Sequence, residues 1–439
     1  MSGSAGRFGS LVLAAGLLLS GCAAAGGEAE PTTVGFRLWD AQAADAYRES
    51  FAEFERQNPD IRVDVEVIPW SDYWTSLRSD VADGTVDDIF WTNANNYDDY
   101  VDAGVLLDID RALGRDARSG WSEAVVAQYE RDGVLWGVPQ LDDPGIAMLA
   151  NIPALLAAGL TPADLGDLRW SPDASEDTLR PLLRSLTLDA AGRTADDPAF
   201  DAAATAQYGY NASRDLNAIV LNYLGSNGGA FQEGDRFVFD RPESVEAVEY
   251  VVGLVNADRV SPPASETNAD LDTSRRLFLE GRMALFQTGV YSLSDVLENA
   301  RFEWAVVPLP AGPKGRVTVG NGIVAAAVAE SEHPVQVRRV LEWMASPEGA
   351  GYLGASGAAV PAVLDAQAAY LDFWQTAGID VRPFFDGQET TVVAPHGSRW
   401  LDAEAAFVPL FDSVFLGQVG VAEGLRAARD AAQAAVDEG

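Results

Sequence analysis

The stretch Leu135–Ala150, LWGVPQLDDPGIAMLA, decides how the chain is divided. A short apolar run ends at Gly137-Val138-Pro139. A polar turn then carries Gln140, Asp142, Asp143, Pro144 and Gly145, and a second apolar run, Ile146–Ala150, leads into Asn151. A strand bounded by proline, a carboxylate-rich turn and another strand predict a chain passing from one sub-domain to a second. Similar punctuation recurs at Phe302–Pro313, FEWAVVPLPAGP, so two crossings are expected. Residues 33–143 and 302–345 then form an N-terminal lobe, residues 144–301 and 346–439 a C-terminal lobe, and function is sought in the cleft between them.

Outward from that stretch, strand and helix periods alternate. Thr33–Trp39 sets Val34, Phe36 and Leu38 on one face, the period of a strand, and Asp40 stands where a helix cap belongs. Ala44, Tyr47, Phe51 and Phe54 follow at helical spacing, and Ile61–Ile68 alternates again. This is a βαβ unit, which implies a parallel sheet. A helix over Tyr73–Val81 leads to a short strand, Asp88–Trp91, opening into the loop Thr92–Tyr97. Ligands of open α/β sheets bind outside such carboxyl ends. Past the crossing, helices are predicted at Thr178–Leu186, Leu216–Leu224 and Glu243–Asn256, a strand within Gly281–Val290, another at Ile323–Val328, and helices from Pro334 and over Val421–Val436. Gly192–Thr205 reads as a surface insertion. The fold class is α/β, two lobes.

The N-terminus stands apart. Arg7, the apolar run Leu11–Leu19 and the small residues before Cys22 form a secretory signal over residues 1–21, too short to span a bilayer. Cys22 is the only cysteine of the 439 residues, so no intrachain disulfide exists. The Ala/Gly/Glu-rich segment 22–32 reads as a flexible tether. Removing Arg7 takes the formal net charge of −36 to −37. So acidic a body repels nucleic acid and anionic membrane surfaces.

Catalytic motifs are missing. The two histidines, His333 and His396, form no HExxH, and there is neither a G-x-S-x-G elbow nor a Walker P-loop. No metal, cofactor or catalytic residue is assigned. Aromatics cluster instead at turns and strand ends: Trp39, Trp70, Trp74, Trp91, Tyr97, Tyr291 and Trp400. Sugars stack their C–H faces on such rings, and their hydroxyls make planar hydrogen bonds with Asp, Asn, Gln and Arg. Asp40 beside Trp39, Asn93 near Trp91, Gln140 with Asp142, and Arg399 beside Trp400 supply those groups.

With these motifs in order, LSGC at residues 19–22, LWD at 38–40, DIFWTN at 88–93, WGVPQ at 136–140, FLEGRMALFQTGVYSLSDV and GNGIVAAAVAESEHPVQVRRVLEWMASPEGA, the chain resembles the lipid-anchored extracellular solute-binding proteins of bacterial ABC importers, in the carbohydrate group that includes maltose-binding protein. The resemblance implies two Rossmann-like lobes that close on a hinge over a sugar (the type II binding-protein architecture), a monomer offered to a membrane permease, and Cys22 carrying the lipid. It places ligand contacts at Asp40, Asn93, Gln140 with Asp142, Tyr291, Asn321 and Trp400, to which the local pattern adds Trp39, Trp91 and Arg399. Where many relatives have Trp, this chain has Tyr291. Two other readings stay open on residues alone: a lipid-anchored glycoside hydrolase using paired carboxyls, and a binder of another solute such as a polyamine. A sensor subunit of the same fold is a further possibility.

Overall fold

The computed structural model describes residues 30–386 and 391–438. The expected signal 1–21, the lipid-bearing Cys22 and most of the expected tether 22–32 lie outside them. The tether ends sooner than expected, because Thr32 already pairs with Ile61.

The first lobe follows its sequence pattern. Strand β1 (Thr32–Leu38) buries Val34, Phe36 and Leu38. Helix α1 (Ala41–Gln57) begins where the Asp40 carboxylate accepts the Ala43 N–H at 2.8 Å, and it buries Ala44, Tyr47, Phe51 and Phe54. Strand β2 (Ile61–Val67) lies parallel to β1, and β3 (Ile89–Asn93) parallel on the other side. Between them α2 (Trp70–Asp83) starts at Trp70 rather than at Tyr73, and α3 (Tyr97–Asp102) follows β3.

At Leu135–Ala150 the chain runs from one sheet into another. Strand β4 (Val138–Asp143) pairs with β8 (Thr318–Ala327) in the first sheet, while β5 (Ile146–Asn151) is the middle strand of a second sheet, between β6 (Leu285–Gly289) and β7 (Trp304–Val307). Gly145 makes the turn at φ 137°, a conformation L side chains avoid, and a Cβ there would stand 2.3 Å from Thr318 Oγ1. That hydroxyl accepts the Ile146 N–H at 2.6 Å, which ties the turn to β8.

The other boundaries differ from expectation. Strand β7, placed in the first lobe by the Phe302–Pro313 punctuation, pairs with β5 in the second. The return runs along β8 instead: Val319 packs in the second lobe's core and Val324 in the first lobe's. A single strand that packs on both lobes' cores needs no proline-bounded turn, so it leaves no such punctuation in the sequence. Helices α5 (Pro334–Met344) and α6 (Pro347–Ala355) both belong to the first lobe, where Ser50 Oγ donates to Gly349 O at 2.9 Å. The first lobe therefore extends past residue 345. A third passage runs beside β4, with the Asp142 N–H on Val360 O at 3.0 Å and the Ala362 N–H on Gln140 O at 2.8 Å. Tyr370 and Trp374 then pack into the second lobe. Its remaining layer is α4 (Pro242–Asn256), α7 (Trp400–Phe415) and α8 (Val421–Asp437).

Strand β9 (Thr391–Val393) runs alongside β8 at Thr318–Gly320, and β3 alongside it at Ile323–Ala327. The last residue of β3, Asn93, faces Ile323; the last of β9, Val393, faces Gly320; the last of β4, Asp143, faces Asn321. Three strands thus end at Asn321 and Gly322, where the two lobes meet.

Candidate functional site

Asn321 forms the floor of this junction. It is partly exposed, and its Oδ1 has no hydrogen-bond partner among the described residues. Directly opposite it, Asp143 accepts the Gly145 N–H at 3.2 Å. Burial pushes the Asp143 carboxyl up to about 7, and the neighbouring Asp142 adds to the rise. Asp142 is raised as well, by burial against the opposing hydroxyl of Ser122 and amide of Gln367.

The first lobe's wall is aromatic. Trp39 sits at the centre, with ring centroids 5.2 Å from Trp70, 5.0 Å from Tyr73, 5.4 Å from Trp74 and 5.1 Å from Trp91. Trp91 is fully buried, Trp39 is half-buried, and Trp70 is 46% exposed. The stack is thus a supported plate with Trp70 as its open face. Asp40 adjoins it; burial raises its carboxyl, and the Arg275 guanidinium of the second lobe opposes that rise. The cap carboxylate therefore faces a cation across the lobes.

The second lobe presents Tyr291, 40% exposed. Its ring lies over Gly289, where a Cβ would stand 2.2 Å from Cε1, so the glycine is what lets the ring lie down on the end of β6. Burial raises the phenol above its usual range, with the Asp215 and Asp143 carboxylates adding to it. Asp215 caps the next turn by accepting the Ala218 N–H at 2.8 Å, and burial raises it too. Arg275 pairs with Asp272 at 3.4 Å and approaches Asp295 at 4.0 Å. The junction is a shallow acceptor-rich floor between two open aromatic faces.

Of the residues picked from sequence, Trp39 and Asp40 lie on the first lobe's wall, Tyr291 on the second lobe and Asn321 on the floor opposite Asp143, whereas Asp142 stands opposite Gly322 on the other face of β4 and meets Gln367. Asn93 is close by but buried and engaged, accepting from Asn96 Nδ2 at 2.7 Å. Four others are elsewhere. Trp91 and Gln140 are core: the Trp91 indole donates to Tyr47 Oη at 3.3 Å, and Tyr47 donates to Gln140 Oε1 at 2.6 Å. Trp400 is 4% exposed among phenylalanines of the second lobe. Arg399 lies at the edge of the interface, where its backbone N–H reaches Asp99 and its Nε pairs with Asp402 at 3.1 Å. Sequence reasoning did not assign Trp70, Asp143, Asp215 or Arg275. Asp215, like Asp40, was findable as a cap before a helical run; Arg275 carried no signal. Among the described residues no His/Cys/Asp/Glu group is arranged to hold a metal ion, and no helix is long and apolar enough to cross a membrane.

The raised Asp143 carboxyl has a measurable consequence. Unfolded, it titrates near the ordinary ~3.9; folded, at about 7. Between these values the native state holds a proton that the unfolded state has lost, so stability falls as pH rises from ~4 to ~7 and stays lowered above. Asp143→Asn is expected to raise stability by roughly 1–3 kcal/mol at pH 8, with no gain at pH 4. Melting temperatures of both proteins across that range check it; a gap independent of pH would refute the assignment.

The family model of bacterial extracellular solute-binding proteins matches residues 40–351. The crystal structure of M. tuberculosis UspC is similar at 50% identity and TM-score 0.74, covering 92% of this chain and 100% of that one. An ABC substrate-binding protein from Listeria monocytogenes in complex with cycloalternan aligns at 21% identity and TM-score 0.79, over 93% of this chain and 100% of that one. An uncharacterized lipoprotein of Streptomyces antibioticus is 25% identical over 347 residues, 75% of this chain and 70% of that protein.

Proposed function

Because this chain belongs to the family of bacterial extracellular solute-binding proteins, we propose that it captures a mono- or oligosaccharide between its lobes and delivers it to the permease of an ABC importer. The observation that supports this reading is an exposed aromatic on each lobe, Trp70 on one and Tyr291 on the other, with Asp40 next to Trp39 and Asp143 opposite Asn321 where the lobes meet. A pyranose supplies both halves of what such a site lacks. Its C–H faces cover indole and phenol, and its hydroxyls donate to carboxylates that now ionise reluctantly. A solute touching both lobes binds the closed arrangement more tightly and shifts the hinge toward it. The cycloalternan bound by the Listeria protein and the maltotriose bound by the MalE domain of Bdellovibrio bacteriovorus are consistent with a sugar. Cys22, after removal of residues 1–21, would hold the protein by lipid at the outer face of the cytoplasmic membrane; the lipoprotein name of the Streptomyces relative supports this.

The excess of carboxyls over cations at the floor favours one second reading, a small cationic solute such as a polyamine. Thermal unfolding of residues 31–439 against saccharides and polyamines separates the two. A native-state ligand at a hundred times its Kd adds about 2.7 kcal/mol, whereas a non-ligand adds nothing. A sugar that raises the melting temperature and is recovered intact supports the transport reading. A sugar consumed points to a hydrolase, and a response to polyamines alone replaces the substrate class.

A further inference from the structure

The chain from Ala394 to Asp402 links the two lobes away from the aromatic plate. It leaves β9, which is paired to β8 in the first sheet, and it ends in α7, whose Trp400 is packed in the second lobe's core. Along the way it bonds four times to the first lobe. Asn95 Nδ2 donates to Pro395 O, Ser398 Oγ to the Asp102 carboxylate, and the Arg399 N–H to Asp99 Oδ1, while Arg78 Nη1 meets Asp402 Oδ1 at 3.2 Å. Arg399 takes a left-handed φ of 64°, which costs a non-glycine residue energy and here turns its N–H onto α3. Two of the first-lobe partners are themselves held: Arg131 bridges the acceptor Asp102 at 2.6 Å and Asp98 at 3.2 Å, and the donor Asn95 is 6% exposed. None of these groups belongs to the aromatic and carboxylate site.

We propose that residues 394–402 are an inter-lobe strap that holds the lobes together before any solute arrives, so that the unliganded protein already populates the closed arrangement. This rests on the hinge-closing reading above. The strap sets the fraction of molecules competent for tight binding, and apparent affinity scales with that fraction. Its ion pair is half exposed, so salt weakens it. High salt should therefore open the empty protein.

The test reads lobe separation without solute. The full chain carrying Cys22→Ser has no native thiol, so spin labels at Glu49→Cys and Glu249→Cys, exposed on α1 and α4, report the inter-lobe distance. The expected result is a shift to longer distances in Arg78→Gln/Asp99→Asn/Asp102→Asn. The parent should make the same shift between 50 and 500 mM salt, and the triple variant should not respond to salt. The strap is overturned if the triple variant keeps the parent's distances, or if it opens but still responds to salt like the parent. The saccharide panel is run on the parent labels in parallel. Sugars that shorten the distance while the triple variant stays unmoved leave the hinge reading intact and remove only the strap. If neither sugars nor the substitutions move it, the hinge reading has failed.

Discussion

Trp400→Ala is expected to destabilise the protein by about 3–5 kcal/mol while leaving solute affinity unchanged. The indole is 4% exposed, with ring centroids 6.3 Å from Phe231, 6.3 Å from Phe237 and 5.8 Å from Phe407. Its removal leaves a cavity lined by rings that are themselves fixed by Phe239 and Phe411 and cannot collapse inward. In a chain of this size the loss corresponds to a fall in melting temperature of roughly 5 °C. The sequence expectation, in which Trp400 stacks on the ligand, predicts the reverse: affinity lost and stability kept. Calorimetry with and without the solute identified by the saccharide panel decides between them, because the two outcomes move different quantities. A fall in melting temperature with an intact ligand-induced rise supports the core assignment, and an abolished rise with an unchanged apo melt refutes it.

Trp70→Ala and Tyr291→Ala are expected to behave in the opposite sense. Each removes an open ring face, so each should weaken solute binding by about 30-fold, the equivalent of ~2 kcal/mol, at a stability cost of about 1 kcal/mol or less. Because the rings sit on different lobes, losing either leaves a solute held from one side, and hinge closure should lose its driving force. Titration calorimetry of the single variants and of the pair reads this directly. If Trp70→Ala binds like the parent, the aromatic plate is structural and the site lies elsewhere. Both variants serve equally if the ligand is cationic, since ammonium groups also settle over ring faces.

The contrast between Trp70 and Trp400 also shows what the chain discloses. The first βαβ unit was legible because its apolar periods are clean: Val34, Phe36 and Leu38 alternate, and Tyr47, Phe51 and Phe54 recur at helical spacing. The aromatic content of the site was legible as a class but not by member. Trp91 lies on β3, where every residue is buried, so alternation cannot say which side chains face the lobe junction. Trp400 follows a left-handed Arg399 into a helix, and nothing before it separates a turn aromatic from a core one. Trp70 was read as one of the turn aromatics but not assigned to the site, and it opens α2, which was placed from Tyr73 onward. Gln140 sits in the predicted crossing, yet its amide is spent on Tyr47 and the local backbone. The crossing along β8 was missed because it has no proline punctuation and its Gly320-Asn321-Gly322 lies inside one continuous strand, not before it. Arg275 faces Asp40 only because two distant segments are folded against each other, and no local pattern encodes that.

That uninterrupted strand also constrains how such a protein can be inherited. Each lobe is assembled from separated stretches of the chain, and β8, a strand of the first sheet, packs Val319 into one lobe's core and Val324 into the other's. A gene cut anywhere between the codons for Thr32 and Val363 divides the strands of at least one sheet between the fragments. Recombination cannot trade one lobe for a relative's as it trades beads on a string. New solute preferences must arise by point substitution at the junction, with both halves of the molecule evolving as one unit.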